Sequence, residues 1–128
     1  MRLLLDTHIF LWFISADARL PRVIRDHIRD PDNDVYLSVV SIWEAMIKNQ
    51  IGRLPLPQSP ETYLPEQRER HRVSSLGLDE PSVMRLAKLP LLHRDPFDRI
   101  LICQAMEHDL AIATLDAAIF SYAVKTVR

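Results

Sequence analysis

Glycine is almost missing from this chain. Only Gly52 and Gly77 occur among its 128 residues. A phosphate-cradling Walker loop and a dinucleotide-binding fingerprint both need several glycines close together, so both are excluded. Cysteine is scarcer still. Cys103 alone cannot supply a disulfide framework or a cysteine-based zinc site. It sits in the apolar helical pattern Ile100, Leu101, Ile102, Cys103, Ala105, which marks it as a small buried residue and fits a reducing compartment. Long hydrophobic runs are absent too. The longest, Ile9 to Ile14, is far too short to span a bilayer, and no secretory leader is recognisable. The expectation is a cytoplasmic protein with no membrane partner. Nor does charge of one sign dominate. The formal net charge is -1, so no overall basic field attracts nucleic acid, although 16 Lys and Arg leave room for a local basic face. None of the histidines, among them His8, His27, His71, His93 and His108, has a partner at zinc-motif spacing.

What remains is an ordinary globular balance of 48% apolar and 26% charged residues, and the length suits a single domain over 1–128. Leu3-Leu4-Leu5-Asp6-Thr7 is the most informative stretch. An apolar run this short suits a strand buried on both faces of a parallel sheet. The first strand is predicted over Arg2–Asp6, with Thr7 capping a helix from His8 to Ser15. A helix is predicted from Pro21 to Arg29, and Arg19, Arg22, Arg25 and Arg29 recur at three- and four-residue steps along roughly one face, read as a solvated face. Val35–Ser38 reads as a strand, and Ser41 opens a helix over Ile42–Ile51 that Gly52 ends. A proline-punctuated connection, Leu54–Pro60, leads to a polar helix over Glu61–His71 with a potential break at Pro65. Val73–Leu76 is a strand. Asp79 caps a helix through Ala87, and the longest helix is predicted over Phe97–His108. Ala111–Thr114 is a strand, Asp116–Tyr122 a short helix and Val124–Val127 a last strand. Strands alternating with helices predict an α/β fold, a sandwich with a mostly parallel central sheet.

Four carboxylates recur at one kind of place in this pattern. Asp6 ends the first strand. Glu44 and Asp98 fall in the first turns of helices, and Asp116 follows the fourth strand. In a parallel sheet these places share the carboxyl-end crevice, where ligands of open α/β sheets bind. Carboxylates crowded there repel one another, and a divalent cation removes that cost. Mg²⁺ or Mn²⁺ takes hard oxygen ligands and keeps several waters, the usual equipment for activating a water against a phosphodiester. A structural reading stands beside this one. Acids cap helices: Ser41 with Glu44 fits a capping box, Asp95 suits the cap before Asp98, and Asp116 suits a cap on its own. Asp6 is harder to explain that way, because acids are depleted in strands and Thr7 is available as the cap.

The segments Leu3-Leu4-Leu5-Asp6-Thr7-His8, Ser41-Ile42-Trp43-Glu44-Ala45, His93-Arg94-Asp95-Pro96-Phe97-Asp98-Arg99 and Thr114-Leu115-Asp116 together resemble the PIN-domain nucleases, and among them the VapC-type toxins of bacterial toxin–antitoxin pairs. The resemblance covers essentially the whole chain in the family's order. It implies a three-layer α/β/α fold and a metal-dependent endoribonuclease. It carries the metal-holding, catalytic roles to Asp6, Glu44, Asp98 and Asp116, with Asp116 completing or adjusting the site. Thr7 and Thr114 match the small hydroxyl positions flanking the site. Arg94 and Arg99 bracket Asp98 and are the nearest candidates for phosphate contacts, with pairing to a neighbouring acid an equal alternative for Arg99. Phe10, Trp12, Phe13 and Trp43 are either plain core or, as the resemblance implies, candidates for a surface that meets a VapB-like antitoxin, and a homodimer is expected. Trp12 or Phe13 is expected to be solvent-accessible in the isolated subunit. Two other readings compete. One is a non-catalytic PIN-like domain that binds RNA or a partner. The other is a receiver-like signalling module, which needs a lysine at the end of a late strand; Lys125 does not lie in that setting.

Overall fold

The computed structural model describes every residue from Met1 to Arg128. Its strands are β1 (Arg2–Leu5), β2 (Asp34–Ser38), β3 (Ser74–Leu76), β4 (Ala111–Ala113) and β5 (Thr126–Val127). They form one sheet in the order β3-β2-β1-β4-β5, and every neighbouring pair is parallel. Seven α-helices connect them: α1 (Thr7–Ile14), α2 (Arg22–Arg29), α3 (Val39–Gln50), α4 (Pro60–Arg70), α5 (Glu80–Met84), α6 (Pro96–His108) and α7 (Ala117–Phe120). A 3₁₀ turn, Arg85–Ala87, continues α5.

The leucine run occupies the middle of the sheet, and Leu3, Leu4 and Leu5 are 0% exposed. Successive side chains of a strand point to opposite faces. Leu3 and Leu5 therefore join Phe10, Ile24, Val35 and Leu37 in one core. Leu4 joins Leu101, Ile102, Ile112 and Ile119 in the other. Helices cover both cores, which gives the expected three layers. Each such leucine contributes about 1.5–3 kcal/mol by leaving water, so the central strand is held firmly from both sides.

Several helix boundaries differ from the sequence expectation. Asp6, not Thr7, occupies the cap position of α1, and its side chain makes no capping bond. Helix α3 starts at Val39, directly after the strand. Ser38 is its cap and accepts a hydrogen bond from the Val40 N–H at 3.0 Å. The buried Ser38 hydroxyl donates onward to Gln104 Oε1 at 2.7 Å, and Gln104 Nε2 donates to the Gly77 carbonyl at 3.1 Å. Ser41 is thus an interior helical residue and Glu44 lies in the second turn, so the expected capping box does not form. Helix α4 runs through Pro65 without a break, at the loss of one backbone donor.

Winding proceeds from β1 to β2 and β3 on one side, then crosses to β4 and β5 on the other. The carboxyl ends of β1 and β4 consequently flank the point where strand order reverses. That is where open α/β sheets place their ligands.

Candidate active site

At the end of β1 the Asp6 N–H donates to the Ala113 carbonyl at 3.0 Å, tying the turn to β4. This places the Asp6 carboxylate opposite Thr114. The Thr114 hydroxyl donates to Asp6 Oδ2 at 2.7 Å and accepts from the Asp116 N–H at 3.0 Å. One hydroxyl therefore fixes both the first acid and the backbone carrying the last. Asp116 is exposed. Its Oδ1 accepts from the Ala118 N–H at 2.9 Å and caps α7, the structural role expected of it.

Glu44 reaches the same cleft from α3. Its Oε1 lies 2.8 Å from Thr7 Oγ1, and Thr7 Oγ1 lies 2.8 Å from Ser41 Oγ. A hydroxyl has a single proton. When Thr7 donates it to the carboxylate, its oxygen is left to accept from Ser41. Glu44 Oε2 accepts from Lys48 Nζ at 2.8 Å, one helical turn along. The pairing of Glu44 is thus with α1 and with its own helix's next turn.

Asp98 stands in the first turn of α6. Asp95 caps that helix as expected, its Oδ1 accepting from the Phe97 N–H at 2.9 Å and the Asp98 N–H at 3.3 Å. Asp98 Oδ2 lies 3.3 Å from His93 Nε2. On the other side of that ring, His93 Nδ1 is 2.8 Å from the Tyr122 hydroxyl, which also receives Arg99 Nη1 at 3.0 Å.

The four acids line one cleft of about 330 Å³, whose wall also carries His8, Trp12 and Lys48. Asp6, Glu44 and Asp98 are all buried. Counting Asp95, five carboxylates share the cleft with a single ammonium group. The electrostatic consequence is large. Burial, and then the charges of Asp6, Asp95, Asp116 and Glu44, push the Asp98 carboxyl up to about 8. Burial also raises Asp6, although the Thr114 hydrogen bond pulls it back in part.

A family model for the PIN domain matches residues 3–125. The chain belongs to the PIN-domain family. Over 66 residues it is 35% identical to the ribonuclease VapC16 of Mycobacterium tuberculosis, a stretch covering 52% of this chain and 45% of that protein. The match therefore spans less than half the length of that relative. Among solved structures, the PIN domain is similar to a chain of the VapBC2 complex of Rickettsia felis bound to a promoter DNA fragment. The TM-score is 0.76 at 12% identity, covering 99% of this chain and 98% of that one. A chain of VapBC-1 from nontypeable Haemophilus influenzae gives a TM-score of 0.69 at 18% identity, covering 99% and 97%. At such identities these likenesses establish the fold.

The donor set of this PIN domain suits a divalent cation. The side chains are hard oxygen ligands, and the raised Asp98 carboxyl reflects charge that a cation would neutralise. The carboxylates are not gathered into a three-ligand cage. Magnesium does not require one, because it is commonly held by one or two carboxylates and keeps several waters.

Other sequence candidates fall elsewhere. Arg99 folds back, donating to the Pro90 carbonyl at 2.8 Å and the Leu89 carbonyl at 3.3 Å, so it braces a loop and does not line the acid cleft. Arg94 is exposed and lines a separate hollow with Leu91 and Pro96. Both arginines were expected beside the cleft because they neighbour Asp98 in sequence, but successive helical and loop residues point in different directions. Phe10 and Phe13 belong to the core, which corrects their expected role as partner contacts. Trp12 is half-buried at the cleft wall, whereas Trp43 is 59% exposed with its ring 5.0 Å from that of Phe97. Sequence reasoning missed Lys48, whose only signal is its four-residue spacing from Glu44. It also missed His93 and Tyr122, whose meeting no spacing announces.

Proposed function

We propose that this PIN domain is a Mg²⁺- or Mn²⁺-dependent endoribonuclease and the toxin of a toxin–antitoxin pair. The observation that carries this reading is the convergence of Asp6, Glu44 and Asp98, three buried carboxylates from three separate elements, on one cleft with a strong surplus of negative charge. A helix cap explains one acid at a time. It does not explain why three are buried along one cleft, an arrangement that costs stability unless a cation offsets it. The ribonuclease name of the relative supports RNA as substrate, and the VapBC names of the structural neighbours support an antitoxin as partner.

In this reading Asp6, Glu44 and Asp98 would hold the cation, one or two of them directly and the rest through its waters, and Asp116 at the exposed edge would complete the set. The bound cation supplies positive charge that makes water a better nucleophile at neutral pH and offsets charge gathering on the scissile phosphate. Thr114 and Thr7 fix the orientations of Asp6 and Glu44 through their hydroxyls. Lys48, at the cleft wall, is a cation within reach of an incoming phosphate. The exposed Trp43 is apolar surface available to an antitoxin or to a second copy.

Asp6→Asn preserves the shape of the buried turn and removes its charge. Cleavage of RNA by the purified variant in Mg²⁺ should be lost while its circular dichroism spectrum stays unchanged. Cleavage at the unmodified rate, or cleavage of RNA by the unmodified chain in excess EDTA, would overturn the proposal.

A further inference from the structure

His93 lies outside the acid set, and its surroundings define its hydrogen bonding. The Tyr122 hydroxyl oxygen receives three N–H groups: Arg99 Nη1 at 3.0 Å, the His93 backbone at 3.2 Å and the Leu92 backbone at 3.3 Å. A phenol oxygen has two lone pairs and one proton. These three donors already outnumber its lone pairs, so a fourth donor would find none free and the hydroxyl proton is directed to the remaining neighbour, His93 Nδ1, 2.8 Å away. Nδ1 is thereby an acceptor, the ring proton sits on Nε2, and Nε2–H points at Asp98 Oδ2 at 3.3 Å. Hydrogen bonds of this length are common in enzyme sites that tighten only when loaded. Tyr122 is buried and His93 partly so, which shields the chain of contacts from competing water.

We infer that His93 is a positioning residue for Asp98, its Nε2–H tautomer set by Tyr122 and Arg99, so that one carboxylate oxygen is held and the other is presented to a divalent cation. This rests on the reading of Asp98 as a metal ligand. Partners of ligating carboxylates orient them and raise their effectiveness, and removing one typically costs about 10–100-fold in metal affinity. The network also explains the fold-back of Arg99. Its guanidinium spends one N–H on the phenol oxygen and others on the carbonyls of Leu89 and Pro90, and so fixes the loop that carries His93.

Two measurements on the full chain test the inference. Long-range ¹H–¹⁵N spectra of the imidazoles should show the neutral His93 as the Nε2–H form, and Tyr122→Phe should convert it to a mixture. Calorimetric titration with Mn²⁺ should show His93→Ala weakened by about 10–100-fold. His93→Gln should recover most of that loss, because its amide N–H can take the place of Nε2–H. In the His93→Gln background, which has no tautomer to set, Tyr122→Phe should add no further loss. An Nδ1–H form in the unmodified protein, or Mn²⁺ affinity unchanged in His93→Ala, would overturn the inference. If His93→Ala fails to fold, the tautomer spectra and the Tyr122→Phe titrations still decide it. The two readings fail separately. An Asp6→Asn variant that still cleaves RNA removes the metal-site proposal and leaves the His93 spectrum untouched. An Nδ1–H spectrum removes the His93 inference alone.

Discussion

Asp98→Asn should stabilise the metal-free protein while abolishing its chemistry. The Asp98 carboxyl is raised from 3.8 to about 8 by burial and by neighbouring carboxylates. The folded state therefore holds the Asp98 proton more tightly than the unfolded state. Unfolding releases that proton throughout the interval between the two values, so stability falls as pH rises. The contribution is fully present below 3.8 and gone above about 8. Each pH unit inside the window costs up to about 1.4 kcal/mol. The cleft opens to solvent, which screens part of the repulsion, so a total of roughly 2–4 kcal/mol is expected. Asparagine keeps the volume and an oxygen for His93 but cannot ionise. Urea unfolding in EDTA from pH 4 to 9 should show the two proteins alike at low pH. They should separate progressively, with the variant more stable by that amount near pH 8. Mg²⁺ at about 1,000 times its Kd should offset or reverse the ranking, since it adds about 4.1 kcal/mol to the form that binds it. Parallel stability profiles for the two proteins across this range would refute the electrostatic account of the cleft.

Thr114→Val keeps the shape of the side chain and strips Asp6 and the Asp116 N–H of their shared partner. It should destabilise the fold by about 1–3 kcal/mol in urea unfolding and weaken Mn²⁺ binding in calorimetry. Leu4→Ala empties a fully buried place on the central strand and should cost about 2–5 kcal/mol in the same unfolding assay. Arg94→Ala alters an exposed side chain outside the acid cleft, so RNA cleavage should continue at the unmodified rate in a gel assay.

The architecture was largely legible in the sequence. The leucine run with its terminal acid marks a strand buried on both faces, and that strand does form the centre of the sheet. Period and punctuation placed the remaining strands and most helices within a few residues. The clearest miss at a boundary is α3. Ser41 looked like its cap, but the buried Ser38 serves instead, because its hydroxyl has Gln104 as a second partner from a helix far along the chain. That partnership is tertiary and leaves no local trace. The same holds for aromatic residues. Phe10 and Phe13 read as surface candidates in a helix apolar on all sides, and the fold buries both in the core that holds Leu3, Leu5, Val35 and Leu37.

Sequence alone determined where the acids stand along the chain. Strand ends and helix starts are fixed by local periodicity and capping, and in a parallel sheet such places fall along one edge. Only the tertiary structure decided what each carboxylate faces. Asp6 meets Thr114 across two strands, Glu44 meets Thr7 across two helices, and Asp98 meets a histidine whose orientation depends on Tyr122, 29 residues beyond it. Hydrogen bonds are directional and short-ranged, so these pairings exist only once the layers have packed. Packing sets the distances, and the distances set the charges the cleft can hold.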